Sequence, residues 1–245
     1  MSASLKLVSL NVEFSRHIGL SIDFLSALKP DVACLQELYE RDVPHVADAL
    51  ESRGHYFVPM TRHAVETPPA PMGIAIFSRL PLVRSSSQYY RGSPASVPSM
   101  DPVDAATYNN KNQMVAFCEI AKEETVFNIA TTHFTWTPDG EPTDIQRSDM
   151  QAMLKILEFA GEFVLCGDFN VPRGGELFGM LAGRYKDNVP SHYTTSIDGN
   201  LHRLGQLNRM VDGIFSTPAY TVSGVEMISG VSDHCALVAT ISKNN

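Results

Sequence analysis

The chain has 245 residues, of which 44% are hydrophobic, and its formal net charge is −8. A chain of this length and apolar content can bury a full core, and no linker divides it, so we predict one domain over residues 1–245. Proteins that bind nucleic acid nonspecifically usually present a basic surface, so the net negative charge argues against a processive nuclease.

Nine short apolar runs rich in β-branched residues predict strands. In chain order these runs cover residues 5–12, 31–38, 73–78, 114–120, 126–132, 163–166, 210–216, 222–228 and 236–241. Most neighbouring runs are separated by too few residues for a crossover helix. We therefore predict mixed sheets with much antiparallel pairing, in a protein of the α/β or α+β class.

Three segments between these runs have helical patterns. In residues 144–160 the apolar side chains follow one helix face, and Asp144 is a candidate cap at the start. Residues 18–28 predict a shorter helix that ends before Lys29-Pro30, because a residue that precedes proline avoids the helical region. Residues 43–53 predict a third helix, which Gly54 would stop.

Two segments are predicted to be irregular. Residues 85–112 contain three prolines, several serines and the pair Asn109-Asn110, and residues 187–208 are polar. Long loops in a compact domain are usually functional or disordered, and we favour loops that face a substrate. Arg79, Arg84, Arg91 and Lys111 bracket the first segment, either as a local basic groove or as scattered solubilising charges.

Compartment and cysteine use follow from simple patterns. The first residues show no charged segment followed by a long apolar stretch, and no apolar run is long enough to span a bilayer. We therefore expect a cytoplasmic protein without a membrane span, and we expect a monomer.

The wide spacing of the cysteines favours reduced core thiols over disulfides or a zinc site. These cysteines are Cys34, Cys118, Cys166 and Cys235.

Polar residues follow several of the apolar runs directly. Gly167-Asp168-Phe169-Asn170 comes after the run 163–166, and Gln36-Glu37 follows Val32-Ala33-Cys34 near the end of the run 31–38. Asn11 lies one residue before the end of the first run, and Ser232-Asp233-His234 precedes the last one. Side chains two residues apart in extended chain project the same way, so Asp168 and Asn170 are expected at one sheet edge.

These fragments, in this order and over nearly the whole chain, resemble the endonuclease/exonuclease/phosphatase superfamily of metal-dependent phosphoesterases. The resemblance implies a four-layered α/β sandwich, with two mixed β-sheets packed face to face and helices outside. It also implies hydrolysis of a phosphate ester by direct attack of water.

The resemblance implies a divalent metal, Mg²⁺ or Mn²⁺, held by Asn11, Glu37 and Asp233. Hard oxygen ligands suit these ions, and Mg²⁺ needs few protein carboxylates because it keeps several waters. Glu13 lies two residues after Asn11 and so is expected to face the same way. Family members often have aspartate there, so Glu13 is only a weak candidate for indirect support of the metal.

The catalytic residues implied by the resemblance are Asp168, Asn170, His133, Asp212 and His234. Asp168 would position the attacking water, as a modest base near its ordinary pKa, and Asn170 would hold a phosphate oxygen. His234 would contact the phosphate. Asp212 lies within an apolar run, where an unpaired carboxylate is costly, and pairing with His234 would favour the imidazolium.

Histidine at position 133 distinguishes branches of the superfamily. Abasic-site endonucleases typically have tyrosine there, so His133 favours the phosphodiesterase and sphingomyelinase-like branches.

Trp136 follows His133 and is a candidate to stack on a base, an aromatic ring or an acyl chain, or else packs under its own loop. Arg147 is a candidate to reach a phosphate, or else pairs with Asp144 or Asp149.

The sequence thus predicts a divalent-metal-dependent phosphodiesterase, of a nuclease-like or end-processing kind, whose partner is a phosphate ester such as a nucleic-acid end. One alternative is a phosphomonoesterase that acts on a sugar, inositol or nucleotide phosphate. The other is a binding protein on the same scaffold without catalysis. No Gly-x-Ser-x-Gly motif is present, so we expect no covalent intermediate on a serine.

Overall fold

The structure, a computed structural model, describes residues 3–65 and 67–244. The predicted domain also includes Met1, Ser2, Glu66 and Asn245, which lie outside the described residues. The strands in the described part are β1 (Ser4–Asn11), β2 (Val32–Tyr39), β3 (Gly54–His63), β4 (Ala70–Ser78), β5 (Leu82–Arg91), β6 (Ser99–Met100), β7 (Gln113–Lys122), β8 (Thr125–His133), β9 (Val164–Asp168), β10 (Lys186–Asp187), β11 (Asp212–Ser216), β12 (Tyr220–Ile228) and β13 (Ala236–Lys243). The helices there are α1 (Ile18–Leu28), α2 (Val43–Ala49), α3 (Asp144–Glu158) and α4 (Glu176–Ala182).

The strands form two mixed sheets, as the spacing of the apolar runs predicts. The first has seven strands in the order β12-β13-β1-β2-β4-β3-β6, and the second has six in the order β10-β11-β9-β8-β7-β5. Parallel pairing joins β1 to β2, β3 to β6 and β8 to β9, and the other neighbours within the described sheets are antiparallel.

Side-chain alternation places the two sheets face to face. In β1, Leu5 and Leu7 belong to the cluster between the sheets, whereas Val8 and Leu10 pack beneath the helices on the other face. The helices α1 and α2 cover the outer face of the first sheet, and α3 and α4 cover the second. These four layers confirm the predicted α/β sandwich.

Some element boundaries differ from the sequence prediction. The predicted irregular segment 85–112 begins inside β5, an edge strand whose exposed and half-buried polar residues give no apolar run. The helix predicted over 43–53 ends at Ala49, and Glu51 takes the left-handed conformation (φ 50°). Thr143, not Asp144, caps α3, because its side chain accepts a hydrogen bond from the Gln146 backbone N–H.

No helix within residues 3–65 and 67–244 has the length and apolar character needed to cross a membrane. All four cysteines are buried and unpaired.

Candidate active site

The predicted catalytic residues lie at neighbouring strand ends. In the second sheet, Asp168 at the end of β9 is in direct register with His133 on β8 and with Asp212 on β11. In the first sheet, Asn11 ends β1 beside Gln36 of β2. The ends of β1 and β9 meet across the sandwich, since Asn11 Nδ2 donates a hydrogen bond to Asp168 Oδ2 over 3.0 Å.

Glu37 lies in a β-bulge. The pairing of β2 with β4 shifts register between Leu35 and Leu38, and Glu37 takes a left-handed conformation (φ 58°). A non-glycine residue in this region costs about 1–2 kcal/mol, and such costs concentrate at functional sites. Because a bulge redirects a side chain, Glu37 leaves the strand alternation and lines the cavity described below.

Gly167 allows β9 to approach β8 closely. Its φ is +147°, and a Cβ at this position would lie 2.0 Å from the carbonyl oxygen of Thr132. No side chain fits there without moving the backbone. Gly167 therefore fixes the position of Asp168, the next residue.

Asp168 is buried, and burial raises its pKa to about 7, against the opposing effect of His234. Asp212 and Glu37 raise the pKa further, whereas the Asn170 backbone N–H, 2.8 Å from Oδ1, lowers it. The expectation of an ordinary aspartate pKa is therefore wrong, because the sandwich removes this carboxylate from water. A base with a pKa near 7 accepts a proton far more readily at neutral pH.

Asp212 and His234 form the predicted pair. His234 Nδ1 lies 2.7 Å from Asp212 Oδ2, and Nε2 faces Asp168 Oδ2 at 3.9 Å. Burial opposes protonation of the ring, but the carboxylates of Asp212 and Asp168 outweigh it and raise the pKa of His234 well above its usual value. The imidazolium therefore presents positive charge to the cavity.

His133 has the opposite protonation state. Burial, together with the positive charges of Lys111 and His234, lowers the pKa of His133 well below its usual value. Its Nε2 lies 3.3 Å from Glu37 Oε1 and 3.6 Å from Asp168 Oδ2. These are contacts of a neutral ring rather than ion pairs, so His133 can donate or accept a hydrogen bond without adding charge.

Asn170 and Glu13 both leave the extended conformation. Asn170 has a φ of 52°, lines the cavity, and donates a hydrogen bond from Nδ2 to the Phe134 carbonyl over 2.9 Å. Glu13 has a φ of 43°, and its carboxylate pairs with Arg16 at 2.8 Å and with His17 at 3.1 Å. Glu13 lines the same cavity as Asn11, as expected, but a turn after the end of β1 places it there rather than strand alternation.

These groups surround a cavity of about 900 Å³. Trp136 lines it and packs edge-on against Tyr108, with ring centroids 5.2 Å apart. Both segments predicted to be irregular contribute to the wall, through residues such as Val103 and Leu204. Arg147 is not among the lining residues.

The guanidinium of Arg147 is held on the surface. It pairs with Glu176 at 2.9 Å and with Asp144 at 3.1 Å, and so joins α3 to α4. The pair with Asp144 is one that the sequence suggested. The pair with Glu176 depends on the placement of α4, so the sequence position of Arg147 could not predict it. The structure therefore supports the alternative reading of Arg147 as an ion-pair residue.

The donor atoms at the site suit a divalent cation. Asp168, Asp212 and His234 each place one ligand atom within 4.8 Å of the others. His234 Nδ1 is already engaged by Asp212, so oxygen donors carry most of the ligand capacity. Asp233 adds a buried carboxylate and Glu37 a partly buried one, and desolvation together with Asp233 raises the pKa of Glu37. Crowded carboxylates and an amide oxygen from Asn11 fit Mg²⁺ or Mn²⁺.

Several lining residues were not singled out by the sequence. Phe14, Tyr39 and His63 form one wall, with Tyr39 Oη 2.6 Å from His63 Nδ1. Lys111 was noted only as part of a possible basic groove. No spacing rule connects these positions, because they lie on four separate segments that the fold brings together.

Comparison with known proteins places this geometry in a family. A sequence model described as the Endonuclease/Exonuclease/phosphatase family matches residues 8–234. No curated protein matches the chain. Solved structures with the same fold include an endonuclease/exonuclease/phosphatase from Beutenbergia cavernae DSM 12333, with a TM-score of 0.72 and 14% identity over 99% of this chain and 72% of that one.

Two further structures carry more specific names. The mannosyl-6-phosphatase Bt3783 of Bacteroides thetaiotaomicron VPI-5482 has a TM-score of 0.66 and 16% identity, over 97% of this chain and 99% of that one. The human Nocturnin catalytic domain with bound sulfate has a TM-score of 0.67 and 20% identity, over 98% of this chain and 94% of that one. At these identities the likeness shows the fold alone.

Proposed function

The chain belongs to the endonuclease/exonuclease/phosphatase family of phosphate-ester hydrolases, and from that premise we propose that it is a divalent-metal-dependent phosphodiesterase that uses water directly. The observation that carries this proposal is the arrangement around Asp168. A buried carboxylate with a pKa of about 7 lies between a neutral His133 and a protonated His234, on the wall of one cavity.

Each of these side chains has a role in hydrolysis. Asp168, held by Asn11, orients the attacking water and accepts its proton. The His234 imidazolium, fixed by Asp212, stabilises negative charge on the phosphate oxygens. His133 positions the phosphate through a neutral ring nitrogen. Mg²⁺ or Mn²⁺, held by oxygens of Asn11, Glu37 and Asp233, would supply further positive charge beside the phosphate.

The cysteines support direct attack by water over a covalent thiol intermediate. Burial raises the pKa of Cys118 and of Cys235 to about 12, so both are thiols at neutral pH. The thiolate is the nucleophilic form of cysteine. None of the four cysteines is among the residues that line the cavity.

The cavity wall favours a substrate with an apolar or aromatic organic group. Three aliphatic side chains at the cavity are exposed: Val65 at 55%, Val103 at 82% and Leu204 at 69%. Trp136 adds an aromatic surface. A small phosphodiester, or the terminal phosphodiester of a longer molecule, would place its phosphate at Asp168 and its organic group against this wall.

A phosphomonoesterase uses the same residues, so substrate turnover must separate the two activities. We would assay purified protein with Mg²⁺, Mn²⁺ or EDTA against bis-p-nitrophenyl phosphate, p-nitrophenyl phosphate, mannose 6-phosphate, sphingomyelin and an oligonucleotide with a phosphotyrosyl end. The expected result is metal-dependent cleavage of diesters that exceeds cleavage of monoesters, and its loss in Asp168→Asn. Preference for monoesters would support the alternative enzyme, and no turnover of any ester would leave a binding protein.

A further inference from the structure

Lys111 has an ammonium group that faces the cavity without a protein partner. The residue is only 9% exposed, and it lines the same cavity as Glu37 and Asp168. Among residues 3–65 and 67–244, Lys111 Nζ has neither a hydrogen-bond acceptor nor an ion-pair partner, although the surface Lys122 pairs with Asp31 at 3.0 Å. The side chain is thus mostly buried while its unpartnered ammonium faces the cavity, where a bound anion can reach it.

The backbone around Lys111 is held rigidly. Arg91 donates a hydrogen bond to the Asn109 carbonyl over 2.9 Å, and the Thr61 hydroxyl donates to the Asn110 carbonyl over 2.9 Å. The Asn112 side chain donates to two carbonyls of the segment that precedes it, at 2.9 and 2.6 Å. The ammonium is therefore presented by a fixed loop rather than by a mobile one.

A strained turn packs against the lysine. Glu13, Phe14 and Ser15 all have positive φ values, of 43°, 54° and 58°. Three consecutive non-glycine residues in this conformation persist only where surrounding contacts impose it, and such strain concentrates at functional sites. The turn places the Phe14 ring 6.0 Å from Lys111 Nζ, at the limit of a cation–π contact.

The charges nearest to Lys111 lie at the catalytic end of the cavity. Lys111 lines the cavity together with Glu37 and Asp168; burial lowers the pKa of Lys111, the two carboxylates raise it, and Arg91 lowers it. Neither carboxylate is within ion-pair distance. A group bound between Lys111 and these residues would touch the ammonium directly.

We propose that Lys111, supported by Phe14, forms an anion-binding subsite for a non-bridging oxygen of the substrate phosphate. This inference rests on the proposed function, because it assigns the subsite to the ester that Asp168 helps to hydrolyse. It adds a substrate-binding residue to the carboxylate and histidine groups. An ammonium without a protein partner at the cavity wall can form a charge-assisted hydrogen bond to a phosphate oxygen.

The test uses inorganic phosphate as the probe, with binding measured by calorimetry in Mg²⁺. Lys111→Met keeps the length of the side chain without its charge, and we expect it to weaken phosphate binding about 10- to 100-fold, the scale of one charge-assisted hydrogen bond. Lys111→Arg should stay within about fivefold of wild type, because it restores the charge. Lys122→Met is the matched control and should bind phosphate as wild type does.

A measurement on the unaltered protein covers the case in which Lys111→Met does not fold. Saturating phosphate should slow reductive methylation of Lys111, followed by mass spectrometry, and leave Lys122 unaffected. Equal methylation of Lys111 with and without phosphate would overturn the inference. Wild-type phosphate affinity in a folded Lys111→Met variant would also overturn it.

The two proposals fail in different ways. If the wild type hydrolyses an ester and Lys111→Met retains both phosphate affinity and kcat/KM, the assignment of Lys111 to an anion-binding subsite is wrong. The proposal that the protein is a phosphodiesterase is then unaffected. If the wild type hydrolyses none of the esters but phosphate binding depends on Lys111, the subsite stands and the phosphodiesterase proposal fails.

Discussion

Asn11 Nδ2 donates a hydrogen bond to Asp168 Oδ2 over 3.0 Å, and this bond joins strand ends that belong to different sheets. The two residues are 157 positions apart in the chain. Asn11 Oδ1 also accepts a hydrogen bond from the Glu13 backbone N–H over 3.0 Å, so the amide is fixed at both ends. The position of Asp168 relative to the first sheet therefore depends on Asn11.

Asn11→Ala should reduce kcat about a hundredfold, because a misplaced catalytic group costs roughly that much and Asp168 loses a buried donor. Thermal unfolding measured alongside steady-state kinetics will separate misplacement from unfolding. Asn128→Ala, which removes an amide bound to the Glu162 carbonyl outside the cavity, is the control. A folded Asn11→Ala variant with normal kcat would show that Asp168 does not need this bond.

Glu37→Gln should preserve the bulge but remove a charged candidate metal ligand. We expect metal-dependent turnover to fall by roughly a hundredfold or more, the scale of lost transition-state stabilisation. Turnover is measured across a Mg²⁺ titration, with Glu162→Gln as an off-site control. If Glu37→Gln melts normally and stays nearly as active at saturating Mg²⁺, the assignment of Glu37 is wrong.

Asp212→Asn should lower the pKa of His234, because the mutation removes the negative partner of the imidazolium. If the protonated ring is the active form, activity is lost as the ring deprotonates, so the alkaline limb of the pH–rate profile should move to lower pH. Asp187→Asn, which removes a carboxylate paired with Arg173, should leave that limb in place. If Asp212→Asn keeps its activity and the alkaline limb of its pH–rate profile does not move, Asp212 has no role in catalysis.

Asp168 should make the metal-free protein less stable as pH rises. Its folded pKa is about 7 against an ordinary 3.8, so the folded state holds this proton more tightly than the unfolded state. Its contribution to stability is therefore full below about pH 4 and declines as pH rises to about 7. Denaturant unfolding in EDTA should show a smaller decline over this window in Asp168→Asn, and equal declines would contradict the raised pKa.

Binding to long duplex DNA should be weak and depend little on salt. Nonspecific affinity comes mainly from cations that replace condensed counterions, with a salt slope of about −0.9 per phosphate contacted on B-DNA. A chain with a net charge of −8 should make few such contacts. Asp168→Asn can be titrated with duplex at several salt concentrations in Mg²⁺. Tight binding, with a salt slope that corresponds to roughly six or more phosphate contacts, would instead favour a nuclease that moves along duplex DNA.

The sequence by itself determined most of the buried strands and the polar residues that follow them, and the family resemblance carried by those residues implied the layers of the sandwich. Apolar runs specify buried strands through local periodicity, and a polar residue at the end of such a run lies at a sheet edge wherever the strand is placed. The resemblance to a known family singled out Asn11, His133, Asp168 and His234 among such residues, and all four lie at the cavity or beside Asp168.

Only the tertiary structure decided how these groups behave. The bulge at Glu37 depends on pairing with β4, and strand alternation predicts neither this bulge nor the turn at Glu13. The pKa of Asp168 depends on burial by both sheets, and the free ammonium of Lys111 depends on which residues surround it. These properties depend on many neighbours that are distant in sequence, so a local sequence pattern cannot predict them.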